Sequence, residues 1–111
     1  MNLNNKKFVA IENDSGLSSG ETVFHYFQNG TIITGKYQGG AISEGTLIGK
    51  LTMEAKIELL YQCLTTEGEL KAGQSEGTIT KLTNVKLKLN FDWSWLNGNK
   101  TGGKSAYIEI D

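Results

Sequence analysis

Few side chains in this sequence are suited to acid–base, nucleophilic or metal chemistry. His25 is the one histidine, and so the one side chain whose unperturbed pKa lies near neutrality. No companion ligands stand at metal-binding spacing around it, and it alternates with Val23 and Phe27, which reads as a structural or surface histidine on a strand. Cys63 is the one cysteine. Beside a base it could be a nucleophile, but in a run with Ile57, Leu59 and Tyr61 it reads as a small core hydrophobe. A single cysteine also excludes an internal disulfide and any multi-cysteine zinc site. Glu44, Glu58 and Asp92 stand near apolar strand positions. Two carboxylates converging inside a barrel could do glycosidase or lyase chemistry, with the outcome set by their separation. Alternation sends Asp92 away from the tryptophans and puts Glu44 on a face with Tyr26 and Tyr37.

The aromatic residues form the more coherent set. Phe24, Tyr26, Tyr37, Tyr61, Trp93 and Trp95, together with Glu44, are the candidate ligand-binding residues. Their rings would wall a pocket, with hydroxyl and indole N–H groups to orient a ligand. Packing the same side chains into a core is an equally economical use of them. No metal or cofactor motif accompanies them, so neither is expected.

Strands must position these residues. Asn29-Gly30 between Phe24–Gln28 and Thr31–Gln38 is a strong short hairpin signal, because a type I′ turn needs φ > 0 at both central residues. Gly39-Gly40 turns the chain again. Reading onward, strands fall at Lys7–Glu12, Glu21–Gln28, Thr31–Gln38, Ala41–Leu51, Ile57–Thr66, Glu69–Leu82, Val85–Leu96 and Ser105–Ile110. Met53–Lys56 allows one helical turn, too short to stand as a helix. Asn13–Gly20 and Asn97–Gly103 read as loops. Gly30–Gly35 and Gly68–Gly73 share a Gly-x-[Ile/Leu]-x-x-Gly pattern that resembles the glycine-punctuated hairpins of MORN repeats.

Alternation tells which side faces inward. Val85, Leu87, Leu89, Phe91, Trp93 and Trp95 share one face, with Lys86, Lys88, Asn90, Asp92 and Ser94 on the other. Ile57, Leu59, Tyr61 and Cys63 alternate in the same way. A two-residue Gly39-Gly40 turn puts Phe24, Tyr26, Ile33, Tyr37, Ile42 and Glu44 together, and Val23, His25, Phe27, Ile32, Thr34 and Lys36 opposite them. Both faces of this hairpin carry large apolar groups, so one lines an interior and the other meets a covering element or a second subunit.

Composition narrows the partners. The 111 residues amount to one domain, 1–111. All 11 basic residues are lysine and the net charge is −1, which excludes a basic nucleic-acid footprint read by arginine. The apolar run Phe8–Ile11 is shorter than a signal peptide's core, and no run approaches a membrane span. Cytoplasmic location is the expectation, with no membrane partner. The 14 glycines and absence of proline fit a chain of many tight reversals.

Phe24-x-Tyr26-x-Gln28-x-Gly30, Tyr37-x-Gly39-Gly40-x-Ile42, Gly45-x-Leu47-Ile48-Gly49 and Trp93-x-Trp95 together resemble a family of small bacterial proteins. Its members often carry the automatic label N-acetylglutamate synthase. The resemblance implies a small β-barrel without an established activity. An acetyl-CoA-dependent acyltransferase of the usual type resembles a mixed α/β domain with a pyrophosphate loop at a helix N-terminus, and this chain has neither an arginine nor a helix to build one.

The expected fold is therefore an all-β antiparallel meander of about eight strands, closed into a small calycin- or lipocalin-like barrel, with a β-sandwich as the alternative. A barrel of that size holds packed side chains or one small ligand. Three functions follow: an interior that binds a small apolar or aromatic ligand, a homo-oligomeric interaction module, and, least supported, an enzyme using Glu44 or His25.

Overall fold

The computed structural model describes residues 2–13 and 16–111. Eight strands follow one another: β1 (Lys6–Asn13), β2 (Val23–Asn29), β3 (Ile32–Gly39), β4 (Ile42–Met53), β5 (Lys56–Thr65), β6 (Leu70–Lys81), β7 (Leu87–Trp95) and β8 (Gly102–Ile110). Each pairs antiparallel with the next, and β1 pairs with β8, so the meander closes into a barrel. That last pairing, Lys7 to Ile110 through Asn13 to Ser105, removes both sheet edges and with them the sandwich alternative.

Turn chemistry differs in detail from the sequence reading. The first hairpin turns at Gly30-Thr31, since Asn29 pairs with Ile32 and Tyr26 with Gly35. Gly30 has φ 65° and Asn29 is not left-handed, so the turn takes glycine at its first central position, as type II′ does. The pairing slides by two residues relative to an Asn29-Gly30 turn, and an even slide leaves every side chain on its expected face. Glu54-Ala55 joins β4 to β5 as a tight turn and forms no helix. Val85 leaves the β7 face altogether. It is 71% exposed with φ 62°, because its N–H bonds the Leu82 carbonyl at 3.0 Å inside the β6–β7 turn.

Two β-bulges decide what the barrel encloses. In β1, Ala10 pairs with Tyr107 and Glu12 with Ala106, leaving Ile11 as an extra residue. In β4, Ile42 pairs with Gly39 and Gly45 with Tyr37, so Ser43-Glu44 spans a space that one residue fills on β3. An extra residue reverses the alternation beyond it. Asn13 therefore turns inward where simple alternation from Phe8 and Ala10 would bring Glu12. On β4, Gly45 and Leu47 turn inward, and Glu44 faces solvent.

The barrel's two ends differ. Leu3, fully buried, plugs the end bearing the chain termini, where it joins Phe8, Ile33, Ile57 and Leu89. Its N–H bonds the Gln28 side-chain carbonyl at 2.9 Å. Burying each such side chain contributes roughly 1.5–3 kcal/mol. Glu109 accepts from the Leu87 N–H at 2.9 Å and pairs with Lys6 at 3.3 Å, so a carboxylate tucked against the barrel is fully partnered. The other end, bearing the β1–β2, β3–β4, β5–β6 and β7–β8 connections, is less tightly filled.

Candidate ligand-binding cavity

At that open end the inward faces of the strands surround a cavity of about 50 Å³, close to two water molecules' share of liquid volume. Phe24, Tyr26, Tyr37, Tyr61, Trp93 and Trp95 all line it. Glu44, grouped with Tyr26 and Tyr37 by alternation, is on the outside of the wall because of the β4 bulge. His25 is also outside, with its Nε2 2.7 Å from Asn5 Oδ1 and its ring against Phe27. No acid–base pair among the described residues therefore meets in the cavity. Among the described residues, no Asp, Glu, His or Lys lines it.

The rings are fixed by one another and by the backbone opposite. Tyr37 stacks on Phe24 with centroids 4.7 Å apart and planes 15° from parallel, and its hydroxyl donates to the Gln62 carbonyl at 3.1 Å. Trp95 meets Trp93 and Tyr61 edge to face. Inward glycines make room for the rings. A Cβ on Gly45 would enter the Tyr37 ring, one on Gly73 the Tyr61 ring, and one on Gly77 the Phe91 ring. The repeated glycine pattern is therefore partly a record of aromatic side chains lying across neighbouring strands.

Burial pushes the hydroxyls of Tyr26, Tyr37 and Tyr61 well above the ordinary tyrosine range, with smaller contributions from neighbouring Tyr107 and, for Tyr37 and Tyr61, Cys63. They remain neutral donors. Burial likewise raises the Cys63 thiol, against the opposing effects of a Tyr37 hydrogen bond and the Lys71 charge. No base stands beside it among the described residues of the cavity wall, and Cys63 is a packed, buried thiol.

Polar groups that the sequence reading missed complete the site: Asn13, Ser18, Ser75, Ser105 and Tyr107, with Leu17 beside them. Ser105 and Tyr107 were within reach of alternation along the last strand, whereas Asn13 was hidden by the Ile11 bulge. The Asn13 amide nitrogen donates to the Ser18 carbonyl at 2.9 Å and lies 2.7 Å from its hydroxyl, which in turn is 3.1 Å from the Tyr107 hydroxyl. Since a carbonyl only accepts, this bond fixes the amide's orientation and leaves Asn13 Oδ1 over. That oxygen and Trp93 Nε1 are buried without a hydrogen-bond partner among the described residues.

A family model described as "Avidin-like protein" matches residues 1–110. Among solved structures, the chain is similar to apo shwanavidin, with a TM-score of 0.70 and 13% identity over 97% of this chain and 96% of that one. At that identity the likeness is one of fold. No curated protein matches significantly. The match across residues 1–110 overturns the resemblance to the small barrels labelled N-acetylglutamate synthase and leaves that label without support. In the structure the glycines behind it are turn and packing positions: Gly30, Gly39 and Gly40 have positive φ and Gly45 lies against the Tyr37 ring.

Proposed function

This chain belongs to the avidin-like family, which binds small ligands such as biotin, and on that premise we propose that its open-ended cavity is a binding site for a small molecule with a neutral polar head. The observation that carries this reading is the pair of buried atoms on cavity residues that have no partner among the described residues, the acceptor Asn13 Oδ1 and the donor Trp93 Nε1. A buried polar group without a partner costs roughly 1–3 kcal/mol, and a ligand bearing one donor and one acceptor removes both costs. With no charged side chain among the described residues of the wall, an ionised head would be desolvated without compensation. The aromatic walls suit an apolar body. Because the free volume is small, binding includes displacement of Leu17 from the mouth, where it packs against the core.

The direct test is titration with biotin and with a panel of small cyclic amides and ureas, followed by calorimetry, melting temperature and intrinsic fluorescence. Both tryptophans of the chain stand in the cavity wall, so occupancy changes their emission. A binding-competent cavity gives a rise in melting temperature that grows with ligand concentration, and Trp93→Phe weakens it. Emission and melting temperature unmoved by every member of the panel would overturn the reading.

A second reading, self-association, rests on the outer wall. Ile48 and Leu60 pair directly across β4 and β5 and are 58% and 55% exposed, with Ile32 nearby on β3. Avidin-like proteins are often oligomeric. Sedimentation of a strict monomer at high concentration would remove it.

A further inference from the structure

We propose that Cys63 is a modification site inside the cavity, thiolated by a low-molecular-weight disulfide, and that thiolation and ligand occupancy exclude one another. The inference rests on the reading of the cavity as a small-molecule site. Cys63 faces inward on β5 in alternation with Leu59 and Tyr61, is 4% exposed and lines the cavity. Its partner on β4 is Gly45, over which the Tyr37 ring lies, and the Tyr37 hydroxyl hydrogen-bonds the thiol. Burial raises this thiol, while the Tyr37 hydrogen bond and the Lys71 charge oppose the rise. An independent observation marks the same cavity as a place for a ligand. Trp93, 8% exposed and on the cavity wall, has a buried Nε1 without a partner among the described residues.

Thiol–disulfide exchange needs no other oxidant than the disulfide itself. Cys63 gives its proton to water, and the thiolate sulfur attacks one sulfur of the incoming disulfide. A bond forms between Cys63 Sγ and that sulfur, the S–S bond of the reagent breaks, and the leaving thiolate takes up a proton. Cys63 ends oxidised in a mixed disulfide, and the other half of the reagent ends reduced as a free thiol. The adduct occupies a void of about 50 Å³, so a second small molecule is shut out. A hydroxyl on the adduct supplies an acceptor to Trp93 Nε1. Access sets the selectivity, since the thiol is buried and its open side is the cavity. A compact neutral disulfide enters there, whereas a large charged one would lose its hydration against a wall that has no charged side chain among the described residues.

The test exposes the folded protein to bis(2-hydroxyethyl) disulfide or to glutathione disulfide and follows intact mass and tryptophan emission. The small reagent is expected to add one hydroxyethylthio group and to change the emission of Trp93 and Trp95, which line the cavity. Dithiothreitol reverses both changes. Glutathione disulfide, scaled to its rate on the urea-unfolded chain, reacts roughly tenfold or more slowly. Thiolated protein no longer responds to biotin or to the cyclic amides and ureas, whereas Cys63→Ser responds as wild type does and ignores both disulfides. Equal scaled rates for the two reagents, rising with urea in step with unfolding, would show that only the unfolded chain is labelled and overturn the proposal. A folded protein left unlabelled by the small reagent overturns it too, and so does full ligand response after thiolation; each leaves the cavity reading standing. Selective labelling of a protein that binds no member of the panel supports the thiol site and overturns the neutral-head reading instead.

Discussion

Asn13 and Ser105 pair directly across β1 and β8 because one extra residue, Ile11, has reversed the alternation of β1. Without it Glu12 would face the cavity. The β4 bulge has the same effect on Glu44. Two insertions of one residue each thus keep two carboxylates out of an interior lined by aromatic and hydroxyl groups.

Asn13→Asp tests that exclusion. It places a carboxylate where an uncharged amide now donates to Ser18, so burial raises its pKa above the unfolded value. A raised carboxyl is neutral, and harmless, below the unfolded pKa of about 3.9, and costs stability as pH rises past it. The variant should be about 2–4 kcal/mol less stable than wild type at pH 7 and close to it near pH 4, as measured by urea unfolding. Glu44→Gln, on the outer wall, should change stability by less than about 0.5 kcal/mol.

Tyr37 across Gly45, and Tyr61 across Gly73, leave no space for a methyl group. Gly45→Ala and Gly73→Ala should each cost about 1–3 kcal/mol through overpacking. Gly45→Ala should also release the Tyr37 hydroxyl from the Gln62 carbonyl, visible as faster exchange of that hydroxyl proton by NMR. Unchanged unfolding midpoints in both variants would show that the rings move aside at no cost.

Glu109 does two jobs, and the variants separate them. Glu109→Ala leaves the Leu87 N–H without its acceptor and breaks the Lys6 pair, an expected loss of about 1.5–3 kcal/mol. Lys6→Ala breaks the partly exposed pair alone and should cost less than about 1 kcal/mol. Comparable losses from the two would place the stabilisation in the ion pair and not in the backbone bond.

Alkaline pH should weaken the fold. The hydroxyls of Tyr26, Tyr37 and Tyr61 and the Cys63 thiol are all raised in the folded state. Their unfolded counterparts ionise first, near the ordinary values of 9.0 for the thiol and 10.0 for the phenols. Stability from these groups is therefore whole below pH 9 and falls as pH climbs through and beyond 10. Urea midpoints measured from pH 7 to 11 should be flat at first and then drop, with tyrosinate absorbance from these three rings appearing only on unfolding.

Much of the architecture could be read from residues alone. Alternation over Leu87–Trp95 and Ile57–Cys63 assigns the inward face of β7 and β5, and turn residues between apolar runs give an eight-stranded antiparallel order, because a two-residue period and a positive-φ turn are local properties. Six aromatic wall residues follow from the same rule. Closure into a small barrel was expected and is found, but its register, Lys7 with Ile110 through Asn13 with Ser105, did not follow, since pairing of β1 with β8 joins the two ends of the chain. Nor did the fate of Glu44 or the arrival of Asn13. A bulge is a mismatch between two partner strands, and it reverses alternation without leaving a sign in the strand that carries it. The sequence by itself determined which side chains are available to wall a cavity. Tertiary pairing decided that no charged side chain of the described residues would line the cavity, because it chose which neighbour of each bulge turns inward.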